Sequence, residues 1–347
     1  MTELLDSAPY GERDAQRFLA EMNALTAAHR AGCEPFARMW PENGDAREVA
    51  ELPFVHVGLF KHLVLKTERT GVAHQRTLES SSTSGQGASQ ITLDAASSEL
   101  QGKSSRAILA DFVGDDPRPL LILDSVQSLR RRGGVSARVA AAMSLQPFAD
   151  GMHFLLGDAT DPATMKWEAV LELARGHDRL LVYGFTWILW LAWGETCPSE
   201  VRETLAGKTI HFVHSGGWKK LEAAKVDRER FDAALLEGLS AESAVVDYYG
   251  LVEQVGIVYP LCEEGFRHVP VWADVLVRDP ATLAVLEDEP GMLQLMNLCA
   301  LGAPYHSVLT EDLGRTVPGA CPCGRGSRRF ELIGRLPKAE VRGCANV

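Results

Sequence analysis

Three sets of residues in this chain have types and spacings that could do chemistry. The first is a loop, "SSSTSGQGAS" at residues 80 to 89. Small side chains let the backbone approach a ligand closely, and successive N–H groups in a tight turn form an anion nest, so Ser81, Ser82, Thr83, Ser84 and Gly85 make a candidate phosphate cradle. No Lys follows the last Gly, which separates the loop from the G-x-x-x-x-G-K-[ST] motif. A flexible Ser/Gly linker is the plain alternative. Against it, "VHVGLFKHLVL" before the loop and "SQITLD" after it read as ordered strands.

The second set is spread over four segments. "DYYGLVEQVG" carries Tyr248, Tyr249, Gly250 and Glu253; a ring can stack on a purine while a carboxylate holds Mg²⁺. A core tyrosine pair beside a solvated Glu is the alternative. "IHFVHSGGWKKLE" ends a strand in Ser215, Gly216 and Gly217, backbone that can lie flat against a base, although such strand-to-helix turns are common. In "HSVLTEDLGR", Asp312 could accept both hydroxyl protons of a ribose, and "FELIGRLPKAEVRG" places Arg335 near Lys338.

The third set is metal-binding. Cys321 and Cys323 in "CPCG" form a short chelate, and "LCEEGFRH" offers Cys262 and His268. Two thiols in a turn with a further Cys and His suit four-coordinate zinc, with buried unliganded cysteines as the alternative at even odds. Cys33, Cys197 and Cys299 are expected in the core. Lone histidines on apolar strands, His153, His211 and His214, are mostly core residues, and His214, just before the Ser-Gly-Gly turn, is the one to test.

These residues need a scaffold, and the 347-residue chain is long enough for one large domain or two unequal ones. Hydrophobic residues at 46% and charged ones at 23% describe an ordinary globular protein. A net charge of −11 with scattered Lys and Arg argues against a nucleic-acid partner. No segment reads as a signal peptide or a membrane span, so no membrane partner and a cytoplasmic location are expected. Seven cysteines in such a chain are unlikely to form a disulfide framework.

The periodicity predicts an N-terminal helical segment over residues 1–50, an α/β core with a largely parallel sheet over 51–245, a β-rich antiparallel subdomain over 246–335 and a C-terminal arm over 336–347. The runs "PLLILD", "HFLLG", "RLLVYGF" and "TIHFVHSGG" are the strands of that core. "GFTWILWLAW" is the richest apolar stretch, placing Phe185, Trp187, Ile188 and Trp190 as candidate walls of an apolar pocket, and a core helix explains it equally well. Three Trp in seven positions fill space, which favours a short or aromatic substrate over a long chain.

Taken in order, these motifs resemble those of the adenylate-forming (acyl-CoA synthetase-like) superfamily. "STSGQGASQITLD" looks like the acyl-protein synthetase family, the fatty-acid-activating component of bacterial luminescence, over residues from about 50 to the end. The resemblance implies the large N-terminal domain of that superfamily, with ATP and Mg²⁺ as cofactors and a carboxylic acid as substrate. It places Tyr249 along the nucleotide, Ser215 to Gly217 in the adenine pocket, Asp312 on the ribose, Arg335 at a hinge and Glu253 on the metal. The common loop ends in Pro-Lys, where this chain has Ala88 and Ser89.

The chain runs only nine residues past Lys338, which leads to the expectation that the small mobile C-terminal domain, with its catalytic Lys, is missing. Lys219, Lys220 or Lys338 then remains to stabilise charge. By the same resemblance Cys344 takes the acyl group from the adenylate and passes it to a reductase, transferase or carrier protein. Direct transfer to a carrier protein, CoA or an amine is the alternative, and a non-catalytic nucleotide-binding module is a second. Some relatives similar to phenylacetate-CoA ligase carry a structural zinc on a comparable Cys/His set.

Overall fold

The four apolar runs contribute to four parallel strands, and a fifth, not singled out in the sequence, joins them. In the computed structural model, which describes residues 3–42, 44–79, 89–130, 135–218, 223 and 225–336, they lie in the order Ala149–Phe154, Arg118–Ile122, Arg179–Phe185, Thr209–Ser215 and Ala244–Tyr249. Tyr259–Pro260 closes the edge as an antiparallel strand. The run reads as continuous apolar sequence because both faces are covered. Leu121, Leu180, Val182, Ile210 and Phe212 face the side packed by Val170, Trp193, Val201 and Phe231. Their alternates Leu120, Ile122, Leu181 and Val213 face Leu109 and Val113 of the helix Ala95–Val113.

A second sheet is antiparallel, in the order Arg267–His268, Arg329–Arg335, Ser307–Val317, Gly291–Asn297, Ala273–Arg278 and Val285–Leu286. Val55–His56 joins it parallel to Ser307–Val317. The N-terminal helix Ala15–Gly32, capped by Asp14, buries Phe18, Met22 and Leu25 against Trp272, Val275 and Leu293 of this sheet. Ile108 reaches the same core from the helix Ala95–Val113, which therefore serves both sheets. A small third sheet pairs His74–Glu79 with Gln90–Asp94 and Val135–Ser136. Its first two strands end in register at Glu79 and Gln90, so the Ser/Gly loop connects a hairpin.

The expected scaffold is an α/β fold with a parallel sheet and an antiparallel one, and that is what forms. Some local expectations differ. The stretch before the loop is strand only at Val55–His56; Val57–Lys61 is a 3-10 turn, started by the His56 ring accepting from the Gly58 N–H at 3.1 Å. Cys33 and Cys299 are core residues, but Cys197 is half-buried beside Pro198. Lys219, Lys220, Lys338, Cys344 and the loop residues Ser81 to Gly85 lie outside the described residues. Among described residues, no helix is long and apolar enough to cross a membrane.

Two histidines are locked neutral where the first helix meets the antiparallel sheet. His29 donates through Nε2 to the Ala300 carbonyl at 2.9 Å, so its Nδ1 accepts from Thr67 Oγ1 at 2.7 Å. His306 lies 4.6 Å away, ring to ring, with Nε2 against Thr26 Oγ1. Burial pushes His29 down to about 3 and His306 well below its ordinary value. Below the unfolded-state value of about 6.5 the unfolded chain takes up protons that these rings refuse, so stability falls as pH drops from there toward 3. In imidazole NMR, neither ring is expected to titrate between neutrality and pH about 5; a midpoint near 6.5 for either would contradict this.

Candidate active site and metal centre

The parallel sheet has a switch point between Arg118–Ile122 and Arg179–Phe185, because the chain adds Ala149–Phe154 on one side and the remaining strands on the other. Open α/β sheets bind ligands outside the carboxyl ends of strands at such a point. A cleft of about 1050 Å³ lies at the carboxyl ends of the three strands on one side of that point, lined by Phe185 and Thr186, by Ser215, Gly216 and Gly217, and by Tyr248 to Gly250. Gly216 has φ +78, a conformation that disfavours a side chain. A Cβ on Gly217 would meet nothing within 4 Å. That backbone is open to a flat ligand.

Tyr249 links this wall to the antiparallel sheet. Its hydroxyl donates to Asp312 Oδ2 at 2.8 Å, and Asp312 Oδ1 accepts from Arg335 Nε at 3.2 Å. Asp312 and Arg335 are cross-strand partners, next to a register shift at Leu313 and Gly314. Burial first, then the Asp312 charge, raises the Tyr249 phenol well above its usual range, so it stays a donor. Asp312 and Arg335 are not part of the cleft lining itself; they stand behind Tyr249.

Glu253 sits on the 3-10 turn Val252–Gln254, only 4% exposed. The next residue pins that turn, with Gln254 Nε2 donating to the Tyr305 carbonyl at 2.8 Å and its Oε1 accepting from Asn297. Burial raises the Glu253 carboxyl, and a hydrogen bond from Ser89 and the charge of Lys61 oppose that rise. A buried carboxylate bonded by one hydroxyl keeps acceptor capacity, which suits a divalent cation. Ser89 is the position where the common loop has Lys.

In the remaining wall His214 was singled out from the sequence, whereas Asp247 and Arg267 were not anticipated. Arg267 Nη2 donates to Asp247 Oδ2 at 2.7 Å, while Nη1 donates to the Tyr259 carbonyl at 2.7 Å. Burial pushes the Asp247 carboxyl up, but Arg267 and then His214 outweigh it and hold the group below the usual carboxylate range. His214 Nδ1 lies 3.0 Å from Thr186 Oγ1, which also reaches the Ser215 carbonyl at 3.2 Å. If the Thr186 proton goes to that carbonyl, its oxygen accepts from His214. Asp247 adjoins the "YYG" motif, but nothing local in the sequence announces Arg267.

Of the two readings of the tryptophan segment, cleft wall or core, the first holds for Phe185 and the second for the rest. Phe185 and Thr186 line the cleft, whereas Ile188, Trp190 and Trp193 are buried in the core beneath the sheet and Trp187 packs against the same cluster. Trp193 meets Phe212 and Trp167 with centroids at 5.3 and 5.4 Å, and Trp190 stacks on Phe231 at 5.9 Å. The turn carrying these rings, Thr186–Leu189 continued by the π-turn Trp190–Gly194, leans on the sheet.

Away from the cleft, the ligand atoms of Cys262, His268, Cys321 and Cys323 all lie within 4.8 Å of one another. Cys262 and Cys321 sulfurs are 4.0 Å apart, and Cys323 Sγ is 3.2 Å from His268 Nε2. Tetrahedral zinc with Zn–S near 2.3 Å and Zn–N near 2.0 Å has ligand edges of roughly 3.5–3.8 Å, so the cluster needs only small adjustments. Burial, then the nearby guanidiniums, push His268 down to about 4, which keeps the ring neutral and able to ligate. The guanidiniums of Arg325 and Arg329 lie near Cys323 and Cys321, cations that would offset the charge of three thiolates around one dication.

A family model described as "Acyl-protein synthetase, LuxE" matches residues 39–347. The chain belongs to that family. Its acyl-protein synthetase relatives include the long-chain-fatty-acid–luciferin-component ligases of Aliivibrio fischeri, 27% identical over 41% of this chain, and Vibrio harveyi, 28% identical over 40%. Those matches span only 38% and 36% of the relatives' own lengths. The fold resembles that of 2-hydroxyisobutyryl-CoA ligase, solved in an open conformation with 2-HIB-AMP and CoA, with a TM-score of 0.67 at 16% identity. The likeness covers 92% of this chain and 74% of that one. The acyl-protein synthetase family is one of ligases, and the fold here is shared with that CoA ligase.

For the cysteine cluster, elemental analysis of the protein purified without chelator is expected to find about one zinc per chain, and Cys323→Ser to lose most of it. Metal-free wild-type protein with an unchanged Tm after zinc addition would contradict the assignment.

Proposed function

We propose that this chain is an ATP-dependent ligase that activates a carboxylic acid as its acyl-adenylate and passes the acyl group to a protein thiol. The observation that carries this reading is the placement, in a family member, of open Ser215–Gly217 backbone and Tyr249 along one cleft, with Asp312 bonded behind Tyr249 and Glu253 buried on the turn that follows. The same arrangement suits a nucleotide: the base against the glycine backbone and Tyr249, and the ribose hydroxyls toward Asp312. Arg335 supports Asp312 in that role. The loop Ser81 to Gly85, which connects the hairpin ending at Gln90, would cradle the phosphates.

In this reading a carboxylate oxygen attacks the α-phosphorus of ATP, the bond to the β-phosphate bridging oxygen breaks, and pyrophosphate leaves. Mg²⁺ held by Glu253 would offset the triphosphate charge. The chain's own contribution is placement and charge stabilisation. Ser89 fixes the Glu253 carboxylate, and Lys61 is a described cation whose field reaches it; Lys338, Lys219 and Lys220 remain candidates beside it. A thiolate then attacks the acyl carbonyl carbon and AMP departs. Cys344 is the proposed first thiol, and an acyl-accepting protein the second.

Glu253→Gln is expected to slow acid-dependent ATP–pyrophosphate exchange by about 100-fold, the scale seen when one preorganised charge is lost from a transition state. Exchange at the wild-type rate would remove Glu253 from the reaction. Cys344→Ala is expected to leave exchange intact and abolish the hydroxylamine-labile acyl adduct of the protein; an adduct that persists would rule out Cys344 as the acyl carrier.

A further inference from the structure

The metal set and the cleft share one hairpin. Tyr259–Pro260 pairs with Tyr248 and Tyr249, and the chain then turns at Gly265, φ +81, and returns as Arg267–His268. Leu261 and Arg267 sit opposite each other across that turn. Side chains along a strand alternate between its two faces, so Leu261 and Arg267 share one face while Cys262 and His268 share the other. Leu261 and Arg267 line the cleft, and Cys262 and His268 belong to the metal set. Each metal ligand of the hairpin is thus the chain neighbour of a cleft residue.

On the cleft face the hairpin holds the strand Ala244–Tyr249 in place. The Leu261 N–H donates to the Asp247 carbonyl at 2.8 Å, and Arg267 donates to the Asp247 carboxylate and the Tyr259 carbonyl, both at 2.7 Å. Hydrogen bonds of this length are lost when the donor withdraws by about 1 Å. Asp247 immediately precedes Tyr248 and Tyr249, so a hairpin that shifts by that much releases the Tyr249 wall.

On its other face the protein's own contacts are few. Among the described residues the hairpin pairs with the antiparallel sheet at two positions, Arg267 with Phe330 and His268 with Arg329. Phe266 lies beneath the Arg329 guanidinium at 4.5 Å, and Arg325 reaches the exposed tip by donating to Glu263 at 3.0 Å. An ion pair with an exposed partner contributes little. An ion shared by Cys262, His268, Cys321 and Cys323 would tie both strands of the hairpin to the turn before Arg329–Arg335, joining ligands 55 and 59 positions apart in the chain. Metal binding at such a site is coupled to the order of the segments that supply its ligands.

We propose that a zinc-class ion on Cys262, His268, Cys321 and Cys323 sets the position of Arg267 and through it the Tyr249 wall, so that metal occupancy and nucleotide binding strengthen each other. Arg267 is the positioning residue, and the ion lies across the hairpin from the cleft. The metal is then more than a staple for the fold: it tunes the site. This rests on the nucleotide reading above for one arm of the test only.

The test compares the full chain as loaded with zinc, stripped by chelator under a phosphine reductant, and stripped then resupplied with zinc chloride. Amide hydrogen exchange reads the segments Asp247–Gly250 and Tyr259–His268 with no nucleotide present, and calorimetry reads the Kd for Mg²⁺–ATP. Stripping is expected to speed exchange in both segments by about tenfold, leave the helix Ala15–Gly32 unchanged and weaken ATP by about tenfold, the ordinary scale of coupling between two sites; zinc restores all three. By reciprocity, ATP is expected to slow zinc release to a chromogenic chelator. Arg267→Lys keeps the charge but not the fork, and is expected to hold zinc yet bind ATP weakly with or without it. The same gain from zinc in Arg267→Lys as in wild type would overturn the link. So would protein that takes up no zinc, unchanged exchange on stripping, or loss of protection throughout the chain with the helix Ala15–Gly32 included. Zinc-dependent protection of Asp247–Gly250 in a protein that binds no ATP would sink the nucleotide reading and leave the link standing; ATP bound equally well with and without zinc would do the reverse.

Discussion

The ion pair between buried Arg267 and half-buried Asp247 is the joint on which the site depends. Asp247 lies in the last long strand of the parallel sheet and Arg267 in the first strand of the antiparallel one. Arg267 also holds the backbone carbonyls of Asp247 and Tyr259, so three acceptors from one sheet converge on a single guanidinium from the other. Removing Asp247 would leave the buried Arg267 guanidinium without its counter-charge, which is destabilising. Next to this joint the strand delivers Tyr248, Tyr249 and Gly250 to the cleft. The contact between Tyr249 and Asp312 then falls into place because the two sheets are already fastened.

The helix Ala95–Val113 completes the fastening and shapes the cavity. Asp94 caps it, accepting from the Ser97 N–H at 2.9 Å, and it buries Ile108 against the antiparallel core while Leu109 and Val113 meet the parallel one. Trp272 Nε1 donates to its Ser104 hydroxyl at 2.7 Å and Gln101 Nε2 to the Tyr305 hydroxyl at 2.9 Å. Those bonds hold one side of the helix firmly, leaving the side with Gly102 free to border open space. One element thus positions both sheets and the far wall of the cleft.

Much of this was legible in the sequence, for physical reasons that differ by element. The strands of the parallel sheet announce themselves as unbroken apolar runs because helices cover both faces. The metal set was legible because four soft or borderline ligands in two short segments have few other uses, and the fold does bring them together. Tyr249, Asp312 and Arg335 were found as separate motifs, and their mutual hydrogen bonds follow from strand register, which no local pattern encodes. Arg267 and Asp247 were missed for the same reason: a pair twenty positions apart in different sheets leaves no periodic trace. The tryptophan segment left two readings open because an apolar run looks the same whether it lines a cavity or fills a core. His56 turned an expected strand into a 3-10 turn by capping it.

The central claim is that the cleft at this joint makes an acyl-adenylate. Its most direct test follows oxygen: the purified protein is given ATP, Mg²⁺ and a panel of carboxylic acids whose carboxyls carry heavy oxygen, with a thiol acceptor, and the AMP formed is weighed by mass spectrometry. Attack by the carboxylate on the α-phosphorus, followed by acyl transfer, leaves one heavy oxygen in each AMP. AMP free of label, or label recovered in inorganic phosphate with ADP as the nucleotide product, would contradict the account.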